Sequence, residues 1–471
     1  MQCTIGTICS GRSTVCSGSR SPTGFFRNIA PYCDIDLYIY IHSRENNITM
    51  TSLPGNLSQE DVIHLLHLRF NNNPKIQFNN YEFHSLTEDL NGFVGDHYVL
   101  KITYTNADDT DVVHTANYFV KTKPTKNKTQ IDLAESLNVY VKEIFMYNTL
   151  LQEYGRREYD INFAPKMYLC KKGLTMVLED LKARDFKLYG RTKFYGVSEM
   201  QACLKSLAKF HAASFLYEED MSKELGTIYR LDQHYPTELK ECLFTFEDET
   251  SIGSTVYRTS LKCFLDLIDL FQEDETWKIE FKKYLQEMDL MKFNALDLKS
   301  RKACGHGDLW SNNMMFRYEG SQAVECVLLD YQVIRYFQPA LDVLLAIYNN
   351  TRVSLRKDHL GEFVDCYYEC LKETVEKRGY CMQEIYSRSS FEEDMERLTA
   401  GVLFQIAANH SMQFLDMDVV KKAVSGEEDG FKDILFDEKT TTKKNAFMYD
   451  PQFKAVIEED LYELHRSLVK H

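Results

Sequence analysis

No window of eighteen uncharged apolar residues occurs anywhere in the 471 residues, so no membrane-spanning helix is expected. A basic excess is missing too. Against 70 Asp and Glu stand 55 Lys and Arg, a net charge of -15. A broad cationic face for DNA or RNA is therefore not expected, and any polyanion held here needs local cations or a metal. The 13 cysteines have no regular spacing; Cys366 and Cys370 lie four apart, without a second Cys or His pair at zinc-finger spacing. The start, Met1-Gln2-Cys3-Thr4-Ile5-Gly6, has neither a basic nor an apolar signal region. Buried, reduced thiols in a cytoplasmic protein are the expectation, and zinc is not. Also lacking are a Walker A sequence, which excludes the P-loop class, and any internal repeat or low-complexity tract.

What is present is ordinary for a folded protein: 44% hydrophobic and 27% charged residues. The length fits two or three domains or one large two-lobed unit. Residues 1–49 stand apart, rich in Ser, Gly, Thr and Cys and then running through Tyr38-Ile39-Tyr40-Ile41 without a partner pattern. They are expected to be a disordered extension, or an upstream reading not made in the cell, with initiation at Met50. Just beyond, Ser58 and Asp61 make a capping box opening a helix with Val62, Leu65 and Leu66 on one side. Strands are expected at 81–86, 97–105 and 112–122, then a helix carrying Leu133, Leu137, Tyr140, Val141, Ile144, Phe145 and Tyr147, then strands at 166–170 and 174–179 around the turn Lys171-Lys172-Gly173. From Ser198, which with Gln201 reads as a second capping box, the pattern is helical. It is broken once, at 304–338, by a glycine-containing loop and a short apolar strand. This order predicts an α+β protein of two lobes, residues 50–180 as a β-rich N-lobe and 181–471 as a mainly helical C-lobe, with the site in the cleft between them.

The strongest chemical signal is Cys304-Gly305-His306-Gly307-Asp308-Leu309-Trp310-Ser311-Asn312-Asn313, followed by Val327-Leu328-Leu329-Asp330-Tyr331-Gln332. An Asp, an Asn five residues later and a strand ending in a second Asp is the pattern used in phosphoryl transfer. Asp308 is placed to accept the proton of an attacking hydroxyl. Asn313 offers a neutral carbonyl oxygen and Asp330 a carboxylate, a pair suited to magnesium on ATP phosphates. Taken singly, a His-Gly-Asp is commonplace in turns and an apolar strand ending in Asp is equally common. The upstream lobe changes the weighing. Lys121 ends the strand Tyr118-Phe119-Val120, and Glu143 lies on the helix that follows; a strand lysine fixed by a helix glutamate is how kinases place an ammonium on the α- and β-phosphates. The loop Asn91-Gly92-Phe93-Val94-Gly95-Asp96-His97 is short and glycine-containing, weak evidence alone. Glu179-Asp180-Leu181 falls between the lobes, and two readings stand side by side: the backbone of Glu179 and Leu181 meets an adenine edge, or the segment is an ordinary exposed linker. His211 reads as a hydrogen-bonded core histidine and Asp342 as a brace for the Asp308 loop.

His306-Gly307-Asp308-Leu309-Trp310-Ser311-Asn312-Asn313, with Leu329-Asp330-Tyr331-Gln332 and Pro339-Ala340-Leu341-Asp342, resembles the ecdysteroid kinase-like family, within the choline-kinase and aminoglycoside-phosphotransferase group of protein-kinase-like fold. Phe119-Val120-Lys121, Lys142-Glu143-Ile144 and Leu207-Ala208-Lys209-Phe210-His211-Ala212 support it, and the similarity runs from about residue 53 to the C-terminus. The resemblance implies ATP- and Mg2+-dependent phosphorylation of a small-molecule hydroxyl. Ecdysteroids are the namesake substrates, and the family suggests an arthropod source and a role in steroid inactivation or xenobiotic detoxication. Two positions depart from the family's pattern: Tyr331 replaces the usual Phe, and Gly95-Asp96-His97-Tyr98 stands where Gly-Glu-Asn-Tyr is usual. A choline-type acceptor is an alternative within the same chemistry. A pseudokinase that binds small molecules is an alternative outside it, although none of Lys121, Glu143, Asp308, Asn313 and Asp330 is missing. Protein kinase activity lacks its Ala-Pro-Glu and Asp-Phe-Gly segments.

Overall fold

The computed structural model describes residues 54–86, 95–124, 128–171, 175–243, 251–288, 300–420 and 440–470. The expectation for residues 1–49, and the loop 91–94, lie outside them. Regular structure begins at the first capping box. Ser58 Oγ accepts from the Asp61 N–H at 3.2 Å, and Asp61 Oδ2 accepts from the Ser58 N–H at 2.6 Å, opening α1 (Gln59–Arg69). Strands β1 (Ile76–Ser85), β2 (Asp96–Asn106), β3 (Asp109–Thr122), β4 (Met167–Lys171) and β5 (Thr175–Glu179) then form one antiparallel sheet in the order β1-β2-β3-β5-β4.

Side-chain alternation gives this sheet two different faces. Leu100, Ile102, Tyr118, Val120 and Val177 pack against Val62, Leu65 and Leu66 of α1, and the Tyr118 hydroxyl donates to the Leu65 carbonyl at 2.9 Å. The intervening residues, Phe119 and Lys121 on β3 and Met176 and Leu178 on β5, face the other way, and Met176 and Leu178 join the main core of the chain. Val120 and Thr122, the neighbours of Lys121 along β3, and His97 and Met176, its partners on the adjoining strands, are all buried, which fixes where its ammonium is aimed.

The helix expected across Leu133–Tyr147 is built in pieces. After α2 (Lys128–Ser136), Asn138 takes a left-handed conformation (φ 54°) and α3 (Val139–Phe145) begins. A π turn at Met146–Leu150 follows, then α4 (Leu151–Arg156). Asn is among the few residues that adopt this backbone readily. The α+β, two-lobed organisation is as the sequence implies: beyond the sheet come β6 (Lys187–Leu188), α5 (Val197–Leu225), α6 (Ile252–Ile268), α7 (Glu275–Glu287), α8 (Pro339–Asn350), α9 (Val353–Glu376), α10 (Arg388–Gln413), α11 (Thr441–Tyr449) and α12 (Pro451–Val469). No helix among the described residues is long and apolar enough to cross a membrane, and the cysteines among them are free thiols.

Two expectations are corrected. The Ser198–Gln201 capping box does not form: α5 starts at Val197 with Gly196 as its N-cap, and the Ser198 hydroxyl instead contacts Glu199 and accepts from the Ala323 N–H at 3.3 Å. Segment 304–338 holds more than one strand. It contains β7 (Ala303–Gly305), β8 (Met314–Glu319), β9 (Gln322–Leu328) and β10 (Arg335–Phe337). β7 pairs with β10, and β6, β8 and β9 form a second small sheet. β7 and β10, three residues each, are specified by one another across the segment rather than by local periodicity, whereas β8 and β9 form a hairpin across Gly320-Ser321.

Candidate active site

The β7–β10 pair brackets two loops, 306–313 and 329–334, which carry the residues singled out in the sequence. The first is held from behind by a single carboxylate. Asp342, in the first turn of α8 and fully buried, accepts from the His306 N–H at 2.6 Å through Oδ2 and from the Gly307 N–H at 2.8 Å through Oδ1. His211 of α5 lies 3.1 Å from Asp342 Oδ2 and 2.7 Å from the Tyr367 hydroxyl. His211 is thus the core histidine and Asp342 the brace that the sequence suggested. Burial works against the Asp342 carboxylate, but its contacts with His211 and His306 together hold its pKa below the ordinary value. Gly307 has φ 79°, and a methyl group there would collide with the Arg335 guanidinium, so only glycine fits.

His306 sets the junction between the loops. Its Nε2 is 2.8 Å from the Leu329 carbonyl and its Nδ1 3.3 Å from the Asp308 N–H, partners that call for the neutral tautomer protonated at Nε2. Burial lowers its pKa in the same sense. The backbone completes the splice: the Leu329 N–H donates to the Asn313 carbonyl at 2.8 Å.

Asp308 and Asn313 meet directly. Asn313 Nδ2 donates to the Asp308 carboxylate at 2.8 Å and to its backbone carbonyl at 2.9 Å, and the Trp310 side chain also hydrogen-bonds to the carboxylate. With its amide nitrogen so committed, Asn313 turns its carbonyl oxygen the other way. Burial, and next the charge of Asp330, push the Asp308 carboxyl up to about 7. Asp330 itself has φ 65°, a left-handed backbone that costs a non-glycine residue about 1 kcal/mol or more.

Lys121 joins the two halves. Its Nζ lies 2.7 Å from Glu143 Oε2 and 2.6 Å from Asp330 Oδ1, so the buried strand lysine and helix glutamate and the partly exposed loop aspartate form one chain. Burial opposes the Lys121 ammonium, yet the two carboxylates hold its pKa above the usual value. Gln332 hydrogen-bonds to the Glu143 carboxylate as well. Tyr331, buried beneath, donates to the Phe163 carbonyl at 3.3 Å and packs edge-on against Tyr147 of the π turn; the hydroxyl that departs from the family's Phe has a partner. His97, the other departure, is opposite Lys121 in the β2–β3 register, buried, with its pKa lowered to about 4 by burial and the Lys121 charge.

The donor set fits a hard cation. Asp330 supplies a carboxylate and Asn313 an amide oxygen, both oxygen donors. Among the described residues no group of three or more His, Cys, Asp or Glu side chains could hold a metal alone. A magnesium ion here would therefore complete its shell with phosphate oxygens and water, its usual habit.

Glu179 and Leu181 are separate from this cluster. The Glu179 N–H is taken by the Lys166 carbonyl at 2.9 Å and its carboxylate by the Lys166 N–H and Arg184. Leu181 is buried with Phe186, Met315 and Val327, and its carbonyl accepts from the Phe186 N–H at 3.1 Å. Three residues carry more of the geometry than the sequence indicated: Lys142, Gln332 and Arg335. Lys142 and Gln332 lie inside the quoted motifs, and their adjacency to Glu143 and Asp330 was the available signal.

Among solved structures, a Plasmodium vivax ethanolamine kinase is similar at 13% identity over 80% of this chain and 83% of its own, with a TM-score of 0.36. A Streptococcus pneumoniae choline kinase is 13% identical over 88% and 99%, TM-score 0.33. An aminoglycoside phosphotransferase from Streptomyces rimosus, in complex with ADP and streptomycin, is 11% identical over 72% and 98%, TM-score 0.23. No curated protein matches the sequence. The ecdysteroid kinase-like family model matches residues 91–380, a span that takes in Lys121, Glu143, both loops and the Asp342 brace. The chain is a member of the ecdysteroid kinase-like family.

Proposed function

We propose that the protein transfers the γ-phosphoryl group of ATP to a hydroxyl of a small molecule, with an ecdysteroid-like steroid or a xenobiotic as the acceptor class that family membership favours. The observation that carries this reading is the ion chain Glu143–Lys121–Asp330 lying beside the Asp308–Asn313 pair. It puts one ammonium, one candidate base and two oxygen donors at the ends of four different elements, which is what a loose phosphoryl-transfer transition state asks of a protein.

In this reading Lys121 binds the α- and β-phosphates and Glu143 keeps it there. The Glu179 carbonyl and the Leu181 N–H meet the adenine edge. Asn313 and Asp330 would hold Mg2+, which neutralises charge on the phosphate oxygens when bound. The acceptor hydroxyl gives its proton to the Asp308 carboxylate as its oxygen forms the new bond to phosphorus, and the bond from phosphorus to the bridging oxygen of ADP breaks in line. A carboxyl held near 7 by burial suits that exchange at physiological pH. Asn313 and Trp310 orient the carboxylate by donating to it.

Thermal unfolding with and without Mg·ATP, on the wild type and Asp330→Asn, tests the nucleotide site without knowing the acceptor. Ligand at about a hundred times its dissociation constant adds ~2.7 kcal/mol. A magnesium-dependent shift in the wild type, weakened in D330N, is expected. No shift in folded wild type would refute the nucleotide site and leave a pseudokinase. Phosphorylation of steroid and phenol panels then identifies the acceptor.

A further inference from the structure

We infer that Lys142 is a positioning residue for this site: its ammonium clamps α3 to the loop after Asp330, and so keeps Glu143 on Lys121. The inference deepens the proposed nucleotide-binding reading and rests on it.

Lys142 is 2% exposed. Its Nζ donates to three backbone carbonyls, those of Lys240 at 2.6 Å, Ile334 at 2.8 Å and Glu238 at 3.2 Å. An ammonium buried on neutral acceptors costs more than a hydrocarbon side chain of the same length, because the ion gives up its hydration without a counter-charge. Burial accordingly lowers its pKa. A packing role alone is met more cheaply by Met or Leu, whereas three hydrogen bonds radiating from one atom join three separate segments at a point.

Which segments are joined gives the role. Every second residue of the loop reaches back to the N-terminal lobe: Asp330 to Lys121, Gln332 to Glu143, and the Ile334 carbonyl to Lys142. Lys142 and Glu143 are consecutive on α3, so their side chains leave the helix about 100° apart. One faces the sheet and the other the loop and the 238–240 segment. That segment has a second fastening, since Glu241 Oε2 lies 2.5 Å from Arg335 Nε, and the Arg335 guanidinium covers Gly307 of the Asp308 loop. Rotation of α3 that breaks the Lys142 bonds also withdraws Glu143 from Lys121.

The test compares binding of Mg·ATP with binding of adenosine, by calorimetry, for wild type, K142M, E143Q and the double variant, each checked for folding by circular dichroism. Adenosine lacks the phosphates that Lys121 would meet. The expected result is that K142M weakens Mg·ATP binding tenfold or more and adenosine binding less than twofold, and has less than a twofold further effect in the E143Q background. Equal loss for both ligands, or an undiminished effect of K142M when Glu143 is already neutral, overturns the inference and leaves the nucleotide site standing. Absence of Mg·ATP binding in the wild type overturns both. If K142M does not fold, K142Q, which keeps an N–H donor one bond short of the ammonium, must show the same pattern at smaller size; additivity with E143Q again overturns it.

Discussion

Replacing Asp308 with Asn is expected to abolish turnover and at the same time stabilise the fold, with a pH dependence of fixed sign. The Asp308 carboxyl moves from its ordinary value of 3.8 up to about 7 in the folded chain, through burial and then the repulsion of Asp330. Between those two values the folded state holds a proton that the unfolded state has released. Stability from this residue is therefore greatest at low pH and is lost as pH rises toward 7. Three units at ~1.36 kcal/mol each set a ceiling of ~4 kcal/mol on the penalty at pH 8. Screening at a half-buried side chain brings the expected value to ~1–2 kcal/mol. Asparagine carries no charge at any pH and retains an oxygen to accept from Asn313. Unfolding followed by fluorescence or calorimetry, with chelator and without nucleotide, should show D308N melting ~2–4 °C above wild type at pH 8, with a smaller gain at pH 5. Mg·ATP binding should stay within a few-fold of wild type. A variant less stable than wild type at both pH values, or a gain that does not change with pH, would refute the reasoning; so would near-normal turnover.

Two further substitutions probe the supports. Asp342→Asn offers one acceptor oxygen where the His306 and Gly307 N–H groups and His211 share two; a loss of ~2–4 kcal/mol is expected in denaturant titration, together with at least a tenfold fall in kcat. Tyr331→Phe removes a single hydrogen bond of 3.3 Å, restores the residue usual in the family, and should change stability by ~1 kcal/mol or less while kcat stays within twofold.

The residues of the site divide by how local their evidence is. Asp308, Asn313 and Asp330 lie within one stretch of sequence, and loop–strand–loop patterning places them together whatever surrounds them. Lys121 and Glu143 were legible because each sits on an element with a clear period, a strand of alternating burial and a helix. The Asp342 brace was legible from the Pro339-Ala340-Leu341-Asp342 helix start. The Ser198 capping box failed although its residue types were right, since the hydroxyl found Ala323 on a distant strand. Of the four strands of 303–337, β7 and β10 exist through pairings such as Arg335 with Gly305, which no local window contains, while β8 and β9 form a hairpin across Gly320-Ser321. Lys142 belongs to the same class: its acceptors lie 96, 98 and 192 positions along the chain and are carbonyls, which every residue has, so the sequence holds no mark of them.

Lys121 and Asp330 are 209 positions apart, and this separation has a kinetic meaning. Contacts of such span close late, after the loop-closure entropy of the intervening chain has been met by other contacts. The intervening chain here includes α5, whose His211 anchors Asp342, and the 238–240 segment gripped by Lys142. During synthesis the sheet and α3 emerge complete with Lys121 and Glu143 while their third partner is still unmade. Until residue 330 has left the ribosome and both loops have docked, the Lys121 ammonium lacks its Asp330 partner, so the ion chain across the candidate site is completed only once that whole span has been made.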